Sequence, residues 1–163
     1  MAEINSLYIH FPFCKKKCNY CDFFSRCVHA EDLKLFHAYL PQAVERHEAL
    51  LNEHRFDWGV LETVYLGGGT PSLWGAAGAD FLEKQFSKFK RSAELEFTLE
   101  INPAAWDKET ITRFKEIGVN RFSVGIQTLD DRCLQLLERV HDVEDSHQIM
   151  EYLSKNSNNF SVD

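Results

Sequence analysis

Apolar and polar positions alternate between a two-residue and a helical period along the chain. SLYIHF (6–11) is rich in aliphatic and aromatic residues and predicts a strand. Over 31–54, Leu33, Phe36, Leu40, Val44 and Leu51 recur at helical spacing, with Ala43, His47 and Leu50 filling the same face. Pro41 lies inside that segment. It is expected to kink or split the helix, because proline lacks a backbone donor and its ring crowds the preceding turn. TVYLGGG (63–69) predicts a strand that stops at a run of glycines, and 79–90 predicts a helix with Phe81, Leu82, Phe86 and Phe89 apolar. ELEFTLEIN (94–102) alternates as a strand does, and Pro103 ends it. Asp107 is placed to cap the next helix, with Ile111, Phe114 and Ile117 facing inward and Gly118 just past its end. RFSVGIQ (121–127) is the next strand; Thr128 or Asp130 then opens a helix carrying Cys133, Leu134 and Leu137. A further helix over about Glu144 to Ser154 leads to NFSVD (159–163).

Strands separated by helices imply βαβ units, a parallel sheet and right-handed crossovers, so the fold class is α/β. The chain reaches Asp163 with a fifth strand under way and no helix to cover it. The expectation is an incomplete barrel-like domain over 1–163, cut short at its C-terminal side. No internal repeat is visible beyond the βα alternation.

Composition narrows the class. The 163 residues suffice for one domain with a sizeable core. Lys and Arg number 18 against 25 Asp and Glu, a net charge of -7, which argues against a nucleic-acid partner. MAEINSLYI (1–9) lacks a basic, apolar leader, and no apolar run reaches the length of a membrane span, so a cytoplasmic protein is expected. Five cysteines, an odd number, argue for metal or redox chemistry rather than a disulfide framework.

Three of those cysteines, Cys14, Cys18 and Cys21, crowd into HFPFCKKKCNYCDFF (10–24), just after the first strand. In parallel α/β folds ligands sit at the carboxyl ends of strands. The cysteine loop, GGGTP (67–71), Glu100, Asn102 and Gln127 all fall at such ends. Three thiols suit an iron–sulfur cluster with one iron left open. A structural zinc site is the alternative and normally wants a fourth ligand, for which Cys27, His10 and His29 are candidates. Lys15, Lys16 and Lys17 would offset a cluster's negative charge, or form a solvated basic loop. Cys27 and Cys133 read as structural, with Cys133 on a helix's apolar face. Each strand-end residue also has a plain structural reading. The glycines could serve a tight turn, Glu100 an exposed strand end, Gln127 a helix cap and Tyr8 the core. Arg139 could pair with Asp142 or sit at a helix C-terminus.

CKKKCNYC is C-x3-C-x2-C, and this resembles the signature of the radical SAM superfamily. SLYIHFPFCKKKCNYCDF, VYLGGGTPS, LEINP, GVNRFSVGIQT and LERVHD, in that order, resemble the coproporphyrinogen III oxidase-like branch. Within it the pattern is closer to the HemW-type haem chaperones. Phe23 follows Cys21-Asp22 where the oxidases carry an extra cysteine, and Tyr8 stands almost at the start, where the oxidases have a long extension. The resemblance implies a partial (β/α) TIM-like barrel. It implies a [4Fe–4S] cluster on Cys14, Cys18 and Cys21, whose open iron takes S-adenosylmethionine. It further implies cofactor contacts from Tyr8, Tyr20, Gly68, Gly69, Thr70, Glu100, Gln127, Arg139 and Asp163. The implied partners are haem or a porphyrin, a haem-acceptor protein and an electron donor, with haem itself a further candidate ligand. Oxidative decarboxylation of a porphyrinogen is the alternative activity. His10 and His141 are candidate haem ligands on general grounds only.

Overall fold

The computed structural model describes residues 2–163. In chain order the elements are β1 (Ala2–Phe11), β2 (Phe13–Cys14), β3 (Arg26–Cys27), α1 (Asp32–Glu53), β4 (Phe56–Gly68), a 3-10 turn (Pro71–Trp74), α2 (Gly75–Phe86), β5 (Arg91–Ile101), α3 (Lys108–Glu116), β6 (Arg121–Val124), α4 (Asp131–Leu136), α5 (Val143–Asn156) and β7 (Phe160–Val162). The main sheet has the order β1-β4-β5-β6-β7, and each adjacent pair is parallel. β2 and β3 form a separate two-stranded ladder.

Alternation along each strand sorts the side chains. Ile9, Phe11, Val64, Leu66, Phe97, Leu99, Phe122 and Val124 are buried in the core. The opposite face is polar across the sheet. Tyr8 is in register with Tyr65, Tyr65 with Thr98, and Thr98 with Arg121. Helix α3 is placed by both of its ends. The Asp107 carboxylate accepts from the Thr110 N–H at 2.7 Å, and Gly118 takes φ +112 just beyond. Ile111, Phe114 and Ile117 are buried as the spacing predicts. Asp107→Ala is expected to cost about 1 kcal/mol of stability in denaturant titration, the usual value of a lost N-cap.

An aromatic cluster positions the cysteine loop. Phe11 stacks on Trp74 at 5.2 Å, and Phe36 of α1 meets Phe11, Phe13 and Trp74 edge-on at 5.5, 5.6 and 5.1 Å. Phe13, the residue before Cys14, is thereby locked under the first helix. At the loop's other end the buried Asp32 accepts from the His29 N–H at 2.6 Å and pairs with Arg26 of β3.

Several sequence expectations need correction. Pro41 does not split the long helix; α1 runs through it. Proline removes only the rung to the His37 carbonyl, and the rest of the helix ladder continues on both sides of it. The helix expected over 79–90 instead spans Gly75–Phe86 after the 3-10 turn, because Gly75 at φ +71 ends the turn and starts the helix early. Cys133 is exposed, as is Cys27: only Leu134 of α4 is buried, so Cys133 is not on an apolar packing face. β1 and β4 begin earlier than expected and pair through Ala2–Ile4 and Phe56–Trp58 before a register shift. No helix among the described residues is long and apolar enough to cross a membrane.

Candidate functional site

A cleft of about 250 Å³ opens where the carboxyl ends of β4, β5, β6 and β7 meet the cysteine loop. Cys14, Cys18, Cys21, Tyr20, Gly68, Gly69, Thr70, Glu100, Gln127, Arg139 and Asp163 all line it. Of the cluster and cofactor residues that the resemblance implies, Tyr8 alone does not, and the candidates His10, Cys27, His29 and His141 also lie outside the lining. Tyr8 lies on the same sheet face, 56% exposed rather than in the core, with its ring stacked on Tyr65 at 6.1 Å and its hydroxyl 3.0 Å from His10 Nδ1.

The loop is closed by backbone bonds. Arg26 N–H donates to the Pro12 carbonyl and Val28 N–H to the Cys14 carbonyl, each at 2.9 Å, while Cys21 N–H turns back on the Cys18 carbonyl at 3.2 Å. The thiols of Cys14, Cys18 and Cys21 are free and half-buried. Among the described residues no three His, Cys, Asp or Glu side chains gather around the position of one ion.

The glycine segment is strapped beneath the loop. Gly69 N–H donates to the Phe11 carbonyl at 2.7 Å and Thr70 N–H to the Phe13 carbonyl at 2.8 Å. A Cβ on Gly69 would lie 2.6 Å from the Phe13 carbonyl oxygen, so close chain approach alone demands glycine there. Glu100 completes this side. Its carboxylate accepts from the Tyr65 hydroxyl at 2.8 Å and from the Gly68 N–H at 3.0 Å. Burial, then the bond to Glu100, push the Tyr65 phenol up to about 12, which keeps it a donor. Tyr65 was missed in the sequence, although TVYLGGG places it on the same strand face as Gly67.

On the far wall three side chains converge on Gly125. A Cβ there would meet Arg139 Nη2 at 3.2 Å, Gln127 Nε2 at 3.5 Å and Asp163 Oδ1 at 3.8 Å. Gln127 adopts φ +67, and its N–H donates to the Asp163 carbonyl at 2.6 Å. A left-handed non-glycine residue is strained, and such strain gathers at functional sites. Arg139 Nη2 donates to the Gly125 carbonyl at 2.6 Å and Nη1 to the Tyr20 hydroxyl at 3.2 Å. Asp142 is occupied elsewhere, capping α5 through the Asp145 N–H at 2.8 Å. Arg139 Nε is buried and has no partner among the described residues. A buried guanidinium N–H without a partner beside a cleft fits an anionic group, and a carboxylate matches it best.

Behind this wall His141 is 4% exposed, with Nε2 3.2 Å from the Ile126 carbonyl. Burial, then the nearby Arg139 charge, hold its imidazole below the ordinary value of 6.5. Burial lowers His37 in the same sense. The unfolded chain takes up these protons first. Stability is therefore full above about 6.5 and falls as pH drops through it toward the folded-state values. Denaturant titrations from about pH 8 to pH 5 are expected to show that decline, shallower in His141→Gln; a pH-independent stability would contradict it.

The fold is a parallel α/β sheet that carries three free thiols and a guanidinium at its strand ends. Residues 8–163 match the model of the radical SAM superfamily, and the chain belongs to that superfamily. It is 35% identical over 162 residues to the heme chaperone HemW of Buchnera aphidicola subsp. Acyrthosiphon pisum, covering 97% of this chain and 41% of the relative. It is 37% identical over 150 residues to the mitochondrial radical S-adenosyl methionine domain-containing protein 1 of Mus musculus, covering 86% of this chain and 31% of that one. The chain thus spans 41% or less of the length of these relatives. Its fold is similar to that of the coproporphyrinogen III oxidase HemN of Escherichia coli, with a TM-score of 0.86 and 22% identity, covering 99% of this chain and 37% of that one. The fold is accordingly a partial (β/α) barrel of radical SAM type.

Proposed function

We propose that residues 1–163 form the radical SAM core of a haem chaperone. The carrying observation is the meeting, in one cleft, of three half-buried thiols with Arg139, whose Nε has no partner among the described residues. Cys14, Cys18 and Cys21 would hold a [4Fe–4S] cluster. The cleft beside them would hold S-adenosylmethionine, with its carboxylate at Arg139 and its remaining polar groups shared among Glu100, Gln127, Asp163, Thr70 and the backbone of Gly68, Gly69 and Tyr20. Tyr8 contributes to the same face through Tyr65. When bound, the cluster supplies one-electron chemistry to the sulfonium. The residues of this chain orient the cofactor and hold water away from it.

Haem binding and delivery to an acceptor protein are supported by relatives named heme chaperones at 32–35% identity. Phe23 supports the same choice over porphyrinogen decarboxylation. It lines the cleft where the oxidases would place another thiol. The test is anaerobic reconstitution followed by two assays, transfer of haem to an acceptor apoprotein and formation of vinyl groups from coproporphyrinogen. Transfer without vinyl product is expected, and vinyl product without transfer would overturn the chaperone assignment. An electron donor is supplied in both assays, so that they differ only in what they read.

A further inference from the structure

We infer that Arg139 is shared between the two halves of the site. Besides facing the cofactor cleft, it donates an N–H···S hydrogen bond to Cys18 and so sets the reduction potential of the cluster. This rests on the cluster assignment proposed above. Arg139 Nη1 lies 3.8 Å from Cys18 Sγ, within reach of a hydrogen bond to sulfur, while Nη2 is fixed on the Gly125 carbonyl.

The chain goes to some cost to place this side chain. Glu138, the residue before it, adopts φ +52, a conformation unfavourable for a residue with a Cβ. Three contacts fix the bend, two of them against the cysteine loop. Glu138 pairs with Lys16 at 3.1 Å, Asn19 Nδ2 donates to the Leu136 carbonyl at 3.1 Å, and Arg139 N–H donates to the Leu134 carbonyl at 2.9 Å. The first two tie the turn after α4 directly to residues between the cysteines. The outcome is a planar guanidinium whose Nη1 faces a ligand sulfur and whose Nε is buried without a partner.

A guanidinium cannot be deprotonated, so it is a permanent donor. Hydrogen bonds to cluster sulfurs are among the levers that set reduction potential, because they stabilise the more negative, reduced state. A carboxylate on the Nε edge shares the same delocalised charge and weakens the donation to sulfur. Cofactor occupancy is then felt at Cys18 through one rigid plane. By linkage, reduction changes cofactor affinity by the same factor.

The test is an EPR-monitored redox titration of reconstituted wild type, Arg139→Gln, Arg139→Lys and Tyr20→Phe, each with and without S-adenosylmethionine, with iron and acid-labile sulfide measured on the same samples. Arg139→Gln is expected to shift the midpoint negative by up to about 59 mV, the one-electron equivalent of tenfold in the reduction equilibrium. Arg139→Lys, which keeps the charge but loses the fork, shifts the same way, and both lose the cofactor-dependent part of the shift. Tyr20→Phe shifts it positive, since Nη1 then serves the sulfur alone; it also keeps the test open if an Arg139 variant assembles poorly. Wild-type potentials in the Arg139 variants, or in Tyr20→Phe, overturn the inference and leave the cluster assignment standing. A wild-type potential in Arg139→Lys alone overturns it too, by assigning the effect to charge. Wild-type protein without iron removes both.

Discussion

Cys18→Ala is expected to give a folded protein that has lost its iron and acid-labile sulfide after anaerobic reconstitution. Two of three thiols cannot hold a cubane whose fourth corner is already open. The fold survives because nothing in the core depends on Cys18. The loop is closed by the β2–β3 ladder and anchored by Phe13 and Asp32. Far-ultraviolet circular dichroism and a denaturant titration check the fold, and metal analysis checks the cluster. Full iron retention would remove Cys18 from the ligand set. Cys27→Ala is the internal control: Cys27 is exposed and outside the cleft lining, and its loss is expected to leave iron unchanged.

Gly69→Ala is expected to damage both the fold and the site. The new Cβ would sit 2.6 Å from the Phe13 carbonyl oxygen and 2.9 Å from the Phe13 carbonyl carbon and nitrogen. These are backbone atoms and cannot swing aside. Either β2 moves, carrying Cys14 with it, or the bonds from Gly69 and Thr70 to Phe11 and Phe13 open. A stability loss of about 1–3 kcal/mol, the usual cost of overpacking, is expected together with loss of cluster and cofactor binding. Gly125→Ala separates the two effects. Its Cβ would meet only the mobile ends of Arg139, Gln127 and Asp163, so cofactor affinity is expected to fall while stability holds. Equal stability losses in the two variants, measured by denaturant titration, would contradict this account of the glycines.

Much of the fold was legible because its signals are local. Asp107 and Gly118 bracket α3 in the sequence and in the structure, and alternation along 94–102 marked the buried Phe97, Leu99 and Ile101. Asp130, one of two candidate caps, accepts from the Cys133 N–H at 2.9 Å. The β2–β3 ladder was not legible, since each strand has only two residues and no pattern forms over that length. Pro41 misled because propensity describes an isolated helix, whereas α1 is held from outside by Phe36 and its aromatic partners. Cys133 misled because its helix is six residues long, too short to bury more than one side chain.

The candidate site divides along the same line. The thiol spacing and the glycine run were visible as strings. What no string displays is the joining of distant residues: Glu100 held by Tyr65, Gln127 bonded to the chain at Asp163, and Arg139 reaching back over 121 positions to Cys18. Those links are made by parallel strand order, which sets the ends of β4, β5, β6 and β7 side by side.

The most direct measurement is an EPR spectrum of the anaerobically reconstituted, reduced protein, recorded with and without S-adenosylmethionine. A [4Fe–4S] signal whose shape changes on adding the cofactor is predicted, because the cofactor takes the iron that has no thiol. A sample that binds zinc in place of iron and sulfide, or a cluster signal indifferent to the cofactor, would contradict it.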